Sequence, residues 1–133
     1  EGQEILLDAS HNIAGAKSLV EFFRDNNMNN LIGVIAMSEG RDIRSYLEII
    51  AKYFKKIYVI EYKIGKKSVP CEQIARILNE LNVEVEIAAS LENAFAKLKG
   101  EHKFMLFGSF GSIFKISSYK TARMSAIDKA LPI

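Results

Sequence analysis

Two stretches of this 133-residue chain gather side chains able to do chemistry. The first reads Leu7-Asp8-Ala9-Ser10-His11-Asn12-Ile13-Ala14-Gly15. An aspartate that ends a strand presents an acceptor-only carboxylate, which suits the paired hydroxyls of a ribose. His11 and Asn12 stand just ahead of a helical pattern, and the free N–H groups of a helix start favour an anion. Plainer readings stay open beside these: a strand-end aspartate can simply organise a turn, and Asn12 can simply cap the helix. The second stretch, Phe107-Gly108-Ser109-Phe110-Gly111-Ser112, places two glycines and two serines after an apolar run. Backbone N–H groups and hydroxyls in such a turn can receive a carboxylate or a phosphate.

Other chemistries fail on inventory or spacing. The glycine-serine turn lacks the lysine and spacing of a Walker loop and the central serine of a nucleophile elbow. No G-x-G-x-x-G follows the first strand, which counts against dinucleotide binding. His11, His102 and the single Cys71 make no zinc site of recognisable spacing, and no metal ligands are expected in this chain. Cys71 follows Pro70 at a helix start with no histidine near it in sequence, so it reads as an unreactive thiol.

The elements that must carry these loops are legible from periodicity. Short apolar runs at Ile5–Leu7, Leu31–Met37, Ile57–Ile60, Val83–Ile87 and Phe104–Phe107 alternate with helical patterns. The helical sets are Ala16, Leu19, Val20, Phe23; then Ile43, Tyr46, Leu47, Ile50, Ala51; then Ile74, Ile77, Leu78, Leu81; then Leu91, Ala94, Phe95, Leu98. Such alternation predicts an α/β fold, a mostly parallel sheet of about five strands with helices on both faces. Val83–Ile87 alternates apolar residues with Glu84 and Glu86, the pattern of an edge strand with one wet face. Asn12, Asp42 and Ser90 are the expected N-caps, and Pro70 suits the first turn of its helix. Beyond Tyr119 the periodicity stops, and an irregular tail is expected. Ligands of open α/β sheets gather beyond the carboxyl ends of the strands, where both polar stretches fall.

Composition sets the remaining bounds. The length suits one domain, residues 1–133, and 49% hydrophobic with 26% charged residues is the balance of a globular protein. A net charge of +2 is too mild to argue for nucleic acid. The lysines at 52, 55 and 56 and at 63, 66 and 67 read as ordinary solvated surface. No apolar run approaches the ~20 residues of a membrane span. One cysteine excludes a disulfide framework within the chain, and a cytoplasmic location is the expectation.

At Leu7, Asp8, His11 and Asn12 the chain matches four positions of the Leu-Asp-Gly-Ala-His-Asn-Pro box of the folylpolyglutamate synthase/dihydrofolate synthase family, a branch of the Mur ligase superfamily. It departs at Ala9, Ser10 and Ile13, where that family has Gly, Ala and Pro, changes that bear on loop shape more than on polar chemistry. Met37-Ser38-Glu39-Gly40-Arg41-Asp42 resembles the family's next loop, with Arg41 in place of a lysine, and Phe107-Gly108-Ser109 resembles its closing strand and turn. The three matches come in the family's order and span nearly the whole chain.

The resemblance implies a Rossmann-like C-terminal domain, a piece of a longer ligase, that closes over an N-terminal ATP-binding domain. In the family, ATP phosphorylates a carboxylate of a dihydropteroate or reduced folate, and the amine of L-glutamate attacks the acyl phosphate to form an amide. Asp8, His11 and Asn12 would then meet ATP, with His11 as the catalytic residue beside the nucleotide. Ser109 and Arg41 would lie toward the glutamate. Mg²⁺ ligands would belong to the N-terminal domain. The isolated chain is expected to be inactive. A cell-wall Mur ligase domain and a non-catalytic doubly wound module are the alternatives, the second because fold alone never decides function.

Overall fold

The computed structural model describes residues 4–8, 12–37, 42–60 and 70–108. The elements run β1 (Glu4–Asp8), α1 (Ile13–Asp25), β2 (Leu31–Ala36), α2 (Ile43–Ile50), a 3-10 turn (Ala51–Tyr53), β3 (Phe54–Val59), α3 (Cys71–Glu80), β4 (Glu84–Ile87), α4 (Leu91–Lys97) and β5 (Lys103–Gly108). The strands form one sheet in the order β1-β5-β2-β3-β4, and every neighbouring pair is parallel.

The connections explain which face each helix takes. β1 to β2, β2 to β3 and β3 to β4 all step in one direction across the sheet, and α1, α2 and α3 share one face. The last connection steps back from the β4 edge to a slot between β1 and β2, and its helix α4 lies on the other face. A parallel crossover keeps a single hand, so reversing the direction of travel must exchange the face. The predicted α/β architecture, with helices on both faces, is what the chain adopts.

Helix ends account for most loop geometry. Asn12, Asp42 and Ser90 each cap a helix as expected. Asn12 Oδ1 accepts from the Gly15 N–H at 2.7 Å, Asp42 Oδ1 from Ser45 at 3.2 Å, and Ser90 Oγ from Asn93 at 3.0 Å. Pro70 stands one residue earlier than predicted. Its ψ of 139° keeps it outside the helix, and its carbonyl accepts from Gln73 and Ile74, so it acts as the N-cap. At the far ends of α1 and α3, asparagine takes the left-handed position usually given to glycine: Asn27 at φ 53° and Asn82 at φ 66°. Met28 and Val83, the next residues, then bond back to the carbonyls of Phe23 and Leu78 at 2.8 and 3.0 Å. Both are Schellman closures, and each points an apolar residue back into the core.

The first face holds the larger core. α1 contributes Ala16, Leu19, Val20 and Phe23, α2 contributes Ile43, Tyr46, Leu47 and Ile50, and α3 contributes Cys71, Ile74, Ile77 and Leu78. They cover Leu6, Ile35, Phe54, Ile57, Val59, Met105 and Phe107 of the sheet. Four aromatic rings run across this layer. Phe54 and Phe107 stack with centroids 5.0 Å apart, Phe23 meets Phe54 edge-on at 5.8 Å, and Tyr46 stacks on Phe107 at 6.4 Å. Gly33 of β2 makes room for them. A Cβ there would sit 2.6 Å from Phe107 Cε1 and 2.8 Å from Phe54 Cε2, closer than carbon atoms can pack.

On the second face α4 buries Leu91, Ala94 and Leu98 against Ile32, Val34, Tyr58, Phe104 and Leu106. β4 is an edge strand, in agreement with its alternating sequence. Its two glutamates are tied down as well as wet. Lys56 reaches Glu86 at 3.1 Å and Glu84 at 3.5 Å, and Lys97 of α4 bonds to the other oxygen of Glu86. Lys56 also lies over the Tyr58 ring, 4.8 Å from its centroid. It is therefore a structural residue of the edge, in keeping with the ordinary-surface reading of its lysine cluster. Such charges on an edge also discourage pairing with foreign strands.

Two outcomes follow. Gly33→Ala should lower unfolding stability by about 1–3 kcal/mol, the usual cost of forcing extra volume into a packed core, measured by urea denaturation. The bond from Lys97, then that from Lys56, holds the Glu86 carboxyl below its ordinary value of 4.5. A depressed carboxyl contributes stability above its unfolded pKa and loses it as pH falls through the folded one. Glu86→Gln should therefore melt lower than wild type at neutral pH, and the gap should narrow as pH falls below about 4.5 in thermal scans.

Candidate functional site

Every βα loop opens on the same edge of a parallel sheet. Asp8 is the last residue of β1 and is paired in register with Phe107 of β5. Gly108 ends β5 and is paired with Ala36, the last residue of β2. Because β5 lies between β1 and β2, the ends of all three strands stand one strand spacing apart, about 4.8 Å each. Residues some hundred positions apart in sequence are thereby brought to one place.

The start of α1 is the best-defined part of this edge. Asn12 has its side-chain oxygen committed to the Gly15 N–H, and its carbonyl accepts from Ala16 at 2.9 Å. Its amide NH2 is what it can still offer a ligand, as a donor. Ile13 and Ala14, the first two helical residues, have N–H groups with no acceptor inside the helix. The first turn carries no acidic side chain, and Asn12, Ile13 and Ala14 are exposed. This end of α1 thus presents donors and partial positive charge with no acidic side chain in its own first turn, an arrangement that favours an anion. Both open readings of Asn12 are compatible: it caps the helix with one atom and keeps a donor free.

Of the residues picked out beforehand, Asp8 and Asn12 fall where expected, at a strand end and a helix start. His11, Arg41 and Ser109 lie outside the described residues. Their nearest described neighbours are Asn12, Asp42 and Gly108, all on the carboxyl edge. Among the described residues no group of three or more His, Cys, Asp or Glu side chains could hold a metal ion. Among them, too, no helix is long and apolar enough to cross a membrane. A feature that periodicity does not reveal is a groove between the starts of α2 and α3, lined by Asp42, Arg44, Glu72 and Arg76 among others.

A doubly wound parallel domain, with an aspartate closing its first strand and a capped helix start following it, belongs to the class of open α/β folds whose ligands gather at the carboxyl ends of the strands. Residues 1–111 match the family model described as dihydrofolate synthetase, C-terminal domain, and the chain belongs to that family. Solved structures agree at the level of fold. The bifunctional folylpolyglutamate synthase/dihydrofolate synthase of Yersinia pestis superposes with a TM-score of 0.70 at 21% identity over 87% of this chain. The folylpolyglutamate synthetase of Helicobacter pylori gives 0.65 at 24% identity over 84%. The folylpolyglutamate synthase of Mycobacterium tuberculosis, complexed with ADP, gives 0.69 at 17% over 86%. The chain spans only 28%, 28% and 30% of these three structures. A comparison with curated protein sequences gives no match.

The cap makes a separable prediction. Asn12→Ala should cost about 1 kcal/mol of unfolding stability, because the Gly15 N–H loses its acceptor, while Asn12→Asp should keep most of it. Chemical denaturation of the two variants beside wild type reads the difference.

Proposed function

We propose that this chain is the C-terminal domain of an ATP-dependent amide ligase that joins L-glutamate to dihydropteroate or a reduced folate through an acyl phosphate. Family membership supports the ligase, and the short share of each relative that the chain covers supports a larger whole. The observation that carries this reading is the register of Asp8 with Phe107, which sets the end of β1 beside the end of β5.

In this reading the nucleotide lies along that edge. The Asp8 carboxylate takes the ribose hydroxyls, since two acceptor oxygens match a vicinal diol. The N–H groups of Ile13 and Ala14 and the Asn12 amide face phosphate oxygens. His11, between Asp8 and Asn12 in sequence, is the catalytic candidate beside the nucleotide. Ser109, after Gly108, and Arg41, before the α2 cap, serve the glutamate, for a guanidinium can hold a carboxylate through two parallel bonds. Mg²⁺ belongs with an N-terminal ATP-binding domain that this one closes upon. What this domain supplies is positioning and oriented donors, whose worth rises when closure excludes water.

The test is ADP release by the intact natural polypeptide with MgATP, omitting L-glutamate and each pterin in turn. Release should require L-glutamate together with dihydropteroate or a reduced folate, and the isolated 133-residue chain should give none. Asp8→Ala in the intact protein should reduce kcat/KM for ATP by roughly tenfold or more, the loss of one or two charge-assisted bonds, with folding preserved. Unchanged ligation by that variant would remove Asp8 from the site.

A further inference from the structure

The loop that follows β2 has both of its ends tied to the end of β5. At one end, Ala36 closes β2 in register with Gly108, and Met37 after it is buried. At the other end, Asp42 caps α2 by accepting from the Ser45 N–H at 3.2 Å, and its carbonyl accepts from the Tyr46 N–H at 3.2 Å. Tyr46 stands in that first turn and is fully buried. Its ring stacks on Phe107, the residue before Gly108, with centroids 6.4 Å apart and planes 20° from parallel. Residues 38–41 therefore connect two anchors set on neighbouring residues of one strand.

Each anchor is stiff for a physical reason. The parallel ladder fixes Ala36 against Gly108. Long side chains on a helix lean back toward its N-terminus, which keeps the Tyr46 ring close to the start of α2. Phe107 has little freedom to yield to it. Its own ring also stacks on Phe54 at 5.0 Å, and that pair already fills the space over Gly33. An aliphatic side chain at 46 would keep the burial and lose the flat face that sets the separation and tilt of α2 against β5.

We propose that Tyr46 is a positioning residue of the ligase site: its ring holds the start of α2 at a set distance from the end of β5. Arg41 immediately precedes the cap residue Asp42, and Ser109 immediately follows Gly108, so the stack governs where both of their loops are rooted. The inference rests on the ligase reading, in which those two side chains serve the glutamate, and adds the core residue that sets one against the other. Asp8 is held by the ladder between β1 and β5, and the start of α1 by its own cap, neither of which uses Tyr46. Loss of the ring should therefore weaken glutamate binding and spare the nucleotide.

The test is steady-state ADP release by variants of the intact natural polypeptide. Tyr46→Phe keeps the ring and should keep the wild-type KM for L-glutamate. Tyr46→Leu and Tyr46→Met remove the ring and keep an apolar side chain, Met being the better gap-filler should the Leu variant fail to fold. Either should raise the KM for L-glutamate by about fivefold or more and leave the KM for ATP within about twofold, since misplacing a binding group weakens the ligand it serves. Leu78, fully buried on α3, which packs on β3 and β4, supplies the stability control. Leu78→Val should lower the melting temperature and move neither KM. In the ¹⁵N-labelled 133-residue chain, the ring-less variants should also move the amide signals of Asp42 and Gly108 and leave that of Gly15 in place. An unmoved glutamate KM would overturn the proposal. So would a rise matched by Leu78→Val or by the KM for ATP, a failure of Phe to restore the wild-type value, or an unmoved Gly108 signal. Absence of any glutamate-dependent release by wild type would instead overturn the ligase reading, and the amide shifts would still decide whether Tyr46 anchors α2 to β5.

Discussion

The stack of Phe54 and Phe107 over Gly33 is the contact on which the rest of the structure depends. It joins β3, β2 and β5 at the centre of the sheet, and through Phe23 and Tyr46 it reaches α1 and α2. Rings this large need a position with no side chain beneath them, and β2 supplies it in a strand otherwise made of buried aliphatic residues. The consequence extends to the functional edge. Phe107 is the register partner of both Asp8 and Ile35 and precedes Gly108, so anchoring its ring anchors the strand ends where the candidate nucleotide loops begin. Close packing tolerates little displacement, and this is how a core contact on the first face governs geometry at the rim.

The rim itself is organised by backbone accounting. A helix start exposes N–H groups that must find acceptors, and at α1, α2 and α4 a side chain provides one of them. At α1 the remaining donors have no carboxylate in the first turn to offset them. The same local rule that stops the helix from fraying thus leaves an anion-friendly surface beside Asp8. Near the opposite edge, paired glutamates and lysines serve a different end: the Lys56, Glu84, Glu86 and Lys97 group ties β4 to β3 and α4 and blunts an exposed strand. Charge at this sheet edge is structural.

Much of this was legible before any fold was known. Periodicity of two and of 3.6 separates strands from helices at each step, because burying one face is what makes each element stable. Capping residues announce themselves by type at Asn12, Asp42 and Ser90, and the alternation of Val83–Ile87 identifies an edge. Pro70 misled by one position, since a proline at N-cap and one at the first helical residue look alike in sequence. The asparagines at 27 and 82 carried a signal that periodicity overlooks: a left-handed residue followed by an apolar one closes a helix.

What the sequence by itself determined is local: the kinds of elements, their order, their caps, and the polar residues at strand ends. Each of these follows from interactions within a few residues. Which strands are neighbours is another matter. That β5 returns to lie between β1 and β2, bringing Gly108 beside Asp8, depends on the reversal of direction at β4 and on which face remained free for α4. The requirement for glycine at 33 exists only once two rings from distant strands meet above it. The groove between α2 and α3, likewise, is a space between elements, and spaces are properties of packing. Tertiary structure decided these things because they arise from contacts between residues far apart in the chain, which no local pattern encodes.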